Sequence, residues 1–458
     1  MKTYILWTVT IIVTISMVLT FSLTGCKAEE AAVEEEVSAE EATTTEEATE
    51  ETEEETEVKE LTVLLHSHFI PASDEYLVKV VDEWSAATGV KVRLDFMIDT
   101  EIEAKTTAEI NAGQGHDIVA IRDYTPYIFE HGLADVGEYV EEIIAQSGKI
   151  RGLGEKSAVV NGTWRAIPWY HQSFPMVYRK DLCEEVGYTV EKMNSLTLDD
   201  LLELAEKLDE KGNGRVGFPV SSSPDSNACM TPILWAFGGT LFDENNSVAV
   251  NSQETKAALE YIIELGKYMP KEVTAWDNAG NNVFMLSGEG AVSANPPSIY
   301  ATAWKDDMDF APELYHAPFP SGPGGRYRLT GLFNFAIFEF SENKDLAADL
   351  IKYLLEREIF VGSIEASDGY NAPVYENLSD VPVWSDNPAL SAIEPAAENL
   401  FPIGWPGPDA TPTAVSVRAQ LNYTLPTMFS MVLAGKATPE EAMVWAETEL
   451  ERFIEEEG

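Results

Sequence analysis

Aromatic side chains in loops are the residues of this sequence best suited to contact a small molecule. A saccharide has flat C–H faces and a rim of hydroxyl groups, so its site needs aromatic platforms and a few well-placed polar groups. The pattern therefore predicts non-covalent sugar recognition, although each ring could instead pack on its own loop. Trp235, in an apolar run, suits a core as well as a site. The loop aromatics are Trp169, Tyr170, Trp276 and Trp405.

Polar side chains at the ends of predicted strands complete this candidate set. His68 follows the first predicted strand, and Asp123 and Tyr124 follow the third. Ligands of open α/β sheets bind outside the carboxyl ends of strands, so these loops should face a site. Asp123 is the strongest polar candidate, and its alternative role is the N-cap of the next helix. Asn334, near another strand end, is a further candidate.

No motif for catalysis or for cofactor binding is complete in the sequence. Gly113-x-Gly115 lacks the third glycine of a dinucleotide site, and the stretch 209–214 lacks ligands that a calcium loop needs. We therefore expect no cofactor, no metal and no enzymatic activity. Carboxylate pairs are inevitable in so acidic a chain, so a carbohydrate-active hydrolase stays open as an alternative.

Alternating strands and helices must position these residues. Leu77, Val80, Val81 and Trp84 share one helix face, and Gly89 stands where a C-cap is expected. Strands that alternate with helices indicate an α/β architecture with a largely parallel sheet. The predicted elements are strands at 61–65, 90–96 and 118–121 and helices at 74–88 and 102–111.

The first 28 residues have the features of an export signal. Lys2 precedes an apolar run from Tyr4 to Leu23, and the run leads into Leu-Thr-Gly-Cys. This ending resembles the lipobox of bacterial lipoproteins. The resemblance implies a signal peptide at 1–25, a lipid on Cys26 and an extracytoplasmic position at a bacterial membrane, in the periplasm or on the cell surface. A transmembrane helix is the alternative, since roughly 20 apolar residues can span a bilayer.

The chain is strongly acidic, with a formal net charge of −48 at pH 7 over 458 residues. Residues 29–60 contain sixteen Glu and one Lys, so we expect 26–60 to be a disordered, extended tether. The charge argues against nucleic acid as a partner, because phosphate binding needs clustered Lys and Arg. Beyond Cys26, Cys183 and Cys229 could form one disulfide or remain two buried thiols.

An ordered series of segments resembles family 1 extracellular solute-binding proteins, the carbohydrate-type receptors of ABC importers that include maltose-binding protein. The series runs over nearly all of 61–458. The similar segments are AEINAGQGHDIVAIRDYTPYIFEHGLADV (108–136), VNGTWRAIPWY (160–170), MVYRKDLCEEVGY (176–188), LTLDDLLELAEKL (196–208), FMLSGEGAVSANPPSIY (284–300) and LAGKATPEEAMVWAETEL (433–450).

The resemblance implies a two-lobe fold of the periplasmic-binding-protein type, class II, whose lobes close like a hinge. It implies chain crossings near 168–173, 317–320 and 355–364. It also implies that Asn295 belongs to the ligand site. The lobes expected from it are lobe 1 at 61–170 and 317–357, and lobe 2 at 171–316 with a C-terminal helical part at 358–458.

By the same resemblance the chain is expected to be a monomeric receptor. It would capture a mono- to oligosaccharide between its lobes and pass it to the permease subunits of an ABC importer. A cationic ligand such as a polyamine is the alternative, because cations are attracted to aromatic faces.

Overall fold

The structure, a computed structural model, describes residues 60–212, 214–378, 380–393 and 400–457. The predicted signal peptide at 1–25, the lipid site Cys26 and tether residues up to 59 lie outside these ranges. The tether is predicted to end at residue 60, whereas Glu60 opens the first strand and pairs with Lys91 at 2.7 Å. None of the described helices has the length and hydropathy that crossing a bilayer requires.

The strands of the described ranges form three sheets. In chain order they are β1 (Glu60–His66), β2 (Lys91–Met97), β3 (Ile118–Arg122), β4 (Val159–Val160), β5 (Thr163–Trp164), β6 (Ile167–Phe174), β7 (Met176–Arg179), β8 (Arg215–Val216), β9 (Gly290–Ala294), β10 (Leu314–Ala317), β11 (Arg328–Ile337), β12 (Ala372–Pro373) and β13 (Leu400–Pro402).

The α-helices of the same ranges surround the sheets. In chain order they are α1 (Pro71–Thr88), α2 (Asp99–Ala112), α3 (Pro126–Phe129), α4 (Gly137–Ser147), α5 (Gly152–Ala158), α6 (Lys180–Glu185), α7 (Val190–Asn194), α8 (Leu198–Lys211), α9 (Pro224–Phe237), α10 (Gln253–Leu265), α11 (Gly280–Leu286), α12 (Ser298–Lys305), α13 (Lys344–Leu354), α14 (Arg357–Ala366), α15 (Ala414–Leu421), α16 (Thr424–Leu433) and α17 (Pro439–Glu457).

The first five predicted elements are confirmed as β1, α1, β2, α2 and β3. Helix α1 starts earlier than predicted, because Pro71 occupies its first turn, where proline costs no hydrogen bond. The helix ends at Gly89, whose φ of 74° is the left-handed conformation favoured at a C-cap. Trp84 is buried in the core, as its place on the apolar stripe predicts.

Lobe 1 is built on a seven-stranded sheet in the order β12-β6-β11-β3-β1-β2, with β13 also paired to β11. Strand β1 is parallel to β2 and β3, as predicted. Strand β11 runs antiparallel to both β3 and β6, so the sheet is mixed and not largely parallel. The reason is that β11 enters from lobe 2 and not through a helix that follows a neighbouring strand.

Helices cover both faces of this sheet. Leu61, Val63 and Leu65 of β1 join the apolar cluster of Trp84, whereas Leu64 joins the cluster on the opposite face. This alternation follows from the two-residue period of a strand.

Lobe 2 combines the four-stranded sheet β10-β7-β9-β8 with helices from the middle and the end of the chain. Leu234 of α9, Leu259 of α10 and Phe429 of α16 belong to one core cluster. Cys183 and Cys229 are buried there as free thiols, which decides between the two alternatives left open by the sequence.

Two of the three crossings between the lobes differ in position from those expected. Lobe 1 extends to Phe174 at the end of β6, and Pro175 alone separates it from β7. The second crossing lies between β10 and β11. The third is later than predicted, because 355–364 largely forms helix α14, whose Phe360 and Ile364 are fully buried in the lobe 1 core. Buried residues between Phe360 and Ile393, which the expected bounds place in the C-terminal part of lobe 2, therefore join the core cluster of lobe 1.

Candidate functional site

A cleft lies between the two lobes. Its narrower part, here called the inner compartment, comprises about 600 Å³, open solvent included. Lobe 1 contributes the ends of β1 and β3 and the middle of β6 and β11, and lobe 2 contributes the start of α9 and the turn after β9. The residues that line it include His66, His68, Phe69, Arg122, Tyr170, Gln172, Phe174, Asp225, Asn278, Asn295, Ser298, Phe333 and Tyr370.

Strands β6 and β11 form an aromatic floor in this compartment. Tyr170, Gln172 and Phe174 alternate along β6, so they share one face of the sheet. The Tyr170 ring stacks on the Phe333 ring of β11 at 4.7 Å between centroids, with 17° between the planes. The ladder shifts register between Phe333 and Asn334, and such bulges commonly re-aim side chains next to functional sites.

The loop between β1 and α1 is fixed by hydrogen bonds around His68. The His68 backbone N–H donates to the Asp74 carboxylate at 2.9 Å, and its ring Nε2 lies 3.0 Å from Asn371 Oδ1. The ring also makes an edge contact with Tyr370 at 4.8 Å. Burial raises the pKa of Asp74 to about 6, partly offset by the hydrogen bond from His68.

Asn281 organises the wall that lobe 2 contributes. Its amide nitrogen lies 2.9 Å from Asp225 Oδ2, 2.9 Å from the Ala294 carbonyl and 3.0 Å from Asn295 Oδ1. Asn295 in turn donates to Ser298 Oγ at 2.6 Å. Asn281 is fully buried, so it supports Asp225 and Asn295 from behind while those two side chains face the cleft.

A wider part of the cleft, here called the outer compartment, comprises about 1150 Å³, open solvent included. Helix α2 and the end of β3 form its lobe 1 side, and residues around α9 and α15 form its lobe 2 side. Arg122, Pro224 and Ile403 line both compartments, so the two are adjoining parts of one cleft.

Asp123 lines the outer compartment with a backbone that departs from the usual region. Its φ of 45° is left-handed, which non-glycine residues rarely adopt. The Leu332 backbone N–H donates to Asp123 Oδ1 at 3.0 Å, and Gln420 donates to Oδ2 at 3.4 Å. Asp123 could instead have been the N-cap of the next helix, α3. The N-cap of that helix is Thr125, so Asp123 does not have this role.

Trp169 faces away from the inner compartment. It lines a smaller cavity of about 450 Å³ within lobe 1, together with His68, Asp74, Tyr76 and Asn371. Its ring stacks on Phe335 at 4.2 Å between centroids. The structure thus brings His68, Tyr170 and Asn295 together in the cleft, with Asp123 beside them and Trp169 behind them.

Tyr124, Asn334 and Trp405 do not reach the cleft surface. Tyr124 is fully buried, and its ring meets the Trp405 ring edge-on at 5.3 Å. Asn334 is enclosed in the sheet, where its Oδ1 accepts a hydrogen bond from Ser157 at 3.1 Å. Asn334 is thus hydrogen-bonded in the interior, whereas Tyr124 Oη and Trp405 Nε1 are buried without a hydrogen-bond partner among the described residues.

Trp235 and Trp276 pack within lobe 2. Trp235 is 1% exposed and contacts Tyr327 and Phe401 through ring edges. Trp276 packs on Phe284 at 5.2 Å between ring centroids. Burial of large apolar rings is favourable in itself, which explains why aromatic residues near loops point inward here.

Several cleft residues are absent from the sequence-based candidate set. Alternation along β6 from Tyr170 could have identified Gln172, and the Ser223-Pro224 signal for a helix start could have identified Asp225. No local pattern marks Phe333 or Asn278, because only the tertiary fold brings them to the cleft. Within the described ranges no group of three or more His, Cys, Asp or Glu is placed to hold a metal ion.

The family model described as bacterial extracellular solute-binding protein matches residues 71–359. A probable ABC transporter-binding protein of Deinococcus radiodurans is 26% identical over 394 residues, which cover 82% of this chain and 89% of that protein. An arabinooligosaccharide-binding protein of Halalkalibacterium halodurans is 23% identical over 329 residues, or 65% of this chain and 67% of that protein.

Solved structures with the same fold include maltose-bound MalE3 of T. maritima, with a TM-score of 0.74 and 23% identity. The match covers 86% of this chain and 99% of that one. A sugar transporter from Arthrobacter chlorophenolicus A6 with bound laminaribiose has a TM-score of 0.73 and 19% identity. That match covers 86% of this chain and 98% of the other. At these identities the structural matches establish the two-lobe fold.

Proposed function

This chain belongs to the family of bacterial extracellular solute-binding proteins, and we propose that it captures a saccharide in the cleft between its lobes. The permease subunits of an ABC importer would receive the sugar. The observation that carries the proposal is the aromatic floor of the inner compartment, where Tyr170 lies flat on Phe333. A flat ring face is the surface that complements the C–H face of a sugar.

Polar groups around that floor suit a rim of hydroxyls. Gln172 and Asn295 each offer a donor and an acceptor, whereas Asp225 offers acceptors only. Asn278 Oδ1 is buried without a hydrogen-bond partner among the described residues, so it is available to a hydroxyl donor. The names of two relatives agree with this class of ligand, since one is named for arabinooligosaccharides and another structure holds maltose.

Binding would be coupled to closure of the lobes. Ile70 of lobe 1, Ala301 of lobe 2 and Tyr370 of lobe 1 form an apolar contact across the cleft. A ligand that touches both lobes favours this closed arrangement by the difference between its affinities for the closed and open states.

We also propose that the protein acts as a monomeric receptor without catalytic turnover, anchored through a lipid on Cys26. Family membership supports binding without chemistry, and the Leu-Thr-Gly-Cys segment supports the anchor. Labelling of expressing cells with a radioactive fatty acid tests the anchor. Label should enter the wild-type protein and not Cys26→Ser, and equal labelling of both would refute lipid attachment at Cys26.

Isothermal titration calorimetry tests the ligand class. The purified protein is titrated with maltose, laminaribiose, arabinobiose and mannitol, and separately with spermidine. We expect a dissociation constant in the micromolar range or tighter for at least one saccharide, and no heat of binding with spermidine. Binding of spermidine alone would replace the saccharide with a cationic ligand.

A further inference from the structure

The small cavity of lobe 1 that Trp169 lines, here called the rear cavity, contains a carboxylate without a cationic partner among the described residues. Asp74 of helix α1 lines this cavity, and its Oδ2 accepts the His68 backbone N–H at 2.9 Å. None of the described residues that line the cavity is Lys or Arg. Lys79, also on α1, is exposed and pairs with Glu83 at 3.8 Å.

The burial of Asp74 makes its charge costly. Burial raises the pKa of Asp74 from 3.8 to about 6, so most of these side chains are still ionised at neutral pH. Removing a carboxylate from water is unfavourable unless an opposite charge compensates for the lost hydration. Holding the His68 loop does not require this charge, because the neutral oxygen of an asparagine could accept the same N–H. A cation beside Asp74 would supply the missing compensation.

Aromatic side chains form much of the remaining wall of the rear cavity. Tyr76, Trp169 and Tyr170 line it, and the rings of Trp169 and Tyr170 meet edge to face at 4.6 Å between centroids. Each of these two rings also stacks on a phenylalanine, Phe335 or Phe333, so both are held in fixed orientations. Aromatic faces attract cations, which makes this wall suitable for a positively charged ligand.

Neutral oxygen acceptors lie beside the carboxylate. Ser73 and Asn371 line the rear cavity and are 8% and 2% exposed. Asn371 Nδ2 donates to Ser73 Oγ at 3.4 Å, which holds the two side chains together. A primary ammonium group has three N–H donors, which match Asp74, Asn371 Oδ1 and Ser73 Oγ in number. A quaternary ammonium ion has no donor for any of them.

We propose that the rear cavity is a second ligand site, which takes a small primary ammonium ion beside Asp74. The ion donates hydrogen bonds to the carboxylate and to the oxygen atoms of Asn371 and Ser73, and its charge lies against the aromatic wall. This site is separate from the proposed saccharide function. Asp74 is the only acidic residue among the described residues that line the cavity, so the several charges of a polyamine would not be compensated there.

Ligand-observed NMR with methylammonium chloride tests this site on the purified protein. We expect saturable binding to wild type, with a dissociation constant in the millimolar range or tighter. Asp74→Asn keeps an acceptor for the His68 N–H but removes the charge, and should weaken methylammonium binding about tenfold or more. Asp82→Asn is the matched control, because Asp82 is an exposed residue of the same helix that does not line the cavity.

Competition and thermal melting complete the experiment. Neither potassium chloride nor tetramethylammonium chloride, at the concentration of the methylammonium salt, should displace methylammonium from wild type, and Asp82→Asn should bind methylammonium as wild type does. Thermal melting shows whether both variants are folded.

Three outcomes would overturn the proposal. They are absence of saturable methylammonium binding to wild type, equal affinity in a folded Asp74→Asn variant, and displacement by potassium or tetramethylammonium as effective as by methylammonium itself. No sugar enters this experiment, so none of these outcomes bears on capture of a saccharide in the cleft.

Discussion

Tyr170 is the side chain on which the proposed sugar contact depends most. Its ring is buried at the floor of the cleft and stacked on Phe333, so its orientation is fixed before a ligand arrives. Tyr170→Leu keeps an apolar side chain but removes the flat face. We expect the affinity for the best saccharide to fall about tenfold, as loss of about 1.4 kcal/mol implies.

The control for this change is Tyr353→Leu. Tyr353 is half-buried in helix α13 and lines neither compartment of the cleft. Calorimetry should give wild-type affinity for Tyr353→Leu. If both variants, or neither, bind more weakly, the aromatic floor does not make the expected contact.

Asn281 gives a second test at the residue scale, because it reaches the ligand only through its neighbours. Asn281→Asp has nearly the same shape but replaces a donor with an acceptor. The new carboxylate would face Asp225 Oδ2 and Asn295 Oδ1, which now accept from the amide at 2.9 and 3.0 Å. Repulsion should displace both side chains and reduce saccharide affinity about tenfold or more.

Asn422→Asp is the matched substitution on the surface. Asn422 donates to the Arg418 carbonyl at 2.8 Å in an exposed position. The Asn422→Asp variant should bind the saccharide with wild-type affinity. Wild-type affinity in a folded Asn281→Asp protein would mean that Asp225 and Asn295 are not ligand contacts.

The candidate residues show how far residue-level reasoning reaches. His68 and Asp123 could be predicted to lie at the cleft, because strand ends in an α/β sheet share an edge. Trp235 and Trp405 could not be sorted in advance, since an aromatic residue in an apolar or Pro/Gly-rich stretch has the same local pattern whether its ring points inward or outward. Only the tertiary neighbours, Tyr327 and Tyr124 among them, fix those rings inside.

At the scale of elements, a buried histidine connects strand β2 to helix α2 through two hydrogen bonds. His116 Nδ1 lies 2.7 Å from Glu109 Oε1 of α2, and Nε2 lies 2.8 Å from Asp95 Oδ2 of β2. Burial by itself would lower the pKa of His116, but the two carboxylates outweigh it and raise that pKa. Lys105 also pairs with Glu109 at 3.0 Å.

The raised pKa of His116 predicts how stability varies with pH. A histidine whose pKa is higher in the folded state stabilises the fold fully below its unfolded pKa of about 6.5, and this contribution is lost as pH rises through the folded value. His116→Gln removes the contribution. The difference in melting temperature between wild type and His116→Gln should therefore be largest below pH 6.5 and shrink at higher pH.

His131→Gln, at an exposed histidine, serves for comparison. Melting temperatures are measured by differential scanning calorimetry from pH 5 to pH 9. The difference in melting temperature between wild type and His131→Gln should be nearly constant over this range. If the difference in melting temperature between wild type and His116→Gln instead grows as pH rises, Glu109 and Asp95 do not stabilise the protonated His116.

Local patterns predicted the first elements well and the sheet order poorly. The apolar stripe and the C-cap glycine are sufficient to define helix α1, because both act within a few residues. The antiparallel placement of β11 beside β3 depends on residues about 200 positions apart, such as Ala336 and Val119. No periodicity within either strand contains that information.

At the scale of the whole molecule, closure of the lobes should affect every ligand alike. Ala301 lies on α12 and meets Ile70 and Tyr370 across the cleft. Ala301→Gln would separate the lobes without altering the aromatic floor. Affinity should fall by a similar factor for every saccharide that the wild-type protein binds.

Thr302→Gln, at the next and half-buried position of α12, controls for the change of the helix surface. It should close and bind as wild type does, which small-angle X-ray scattering with and without sugar can follow. If Ala301→Gln keeps full affinity, the apolar contact does not contribute to closure.

The overall resemblance was more informative than any single site residue. Its segments are individually short, but their order over 61–458 predicted the two-lobe fold that the structure has, and the family model matches 71–359 of the same chain. The position of the third crossing could not be inferred from it. That position depends on burial of helix α14 in lobe 1, which is a property of the packed core.

Native mass spectrometry of the protein with the best-bound saccharide tests the central claim most directly. We predict one sugar molecule bound per monomer, released with its mass unchanged after prolonged incubation. Hydrolysed sugar, or no retained sugar at concentrations well above the calorimetric dissociation constant, would contradict capture of an intact saccharide between the lobes.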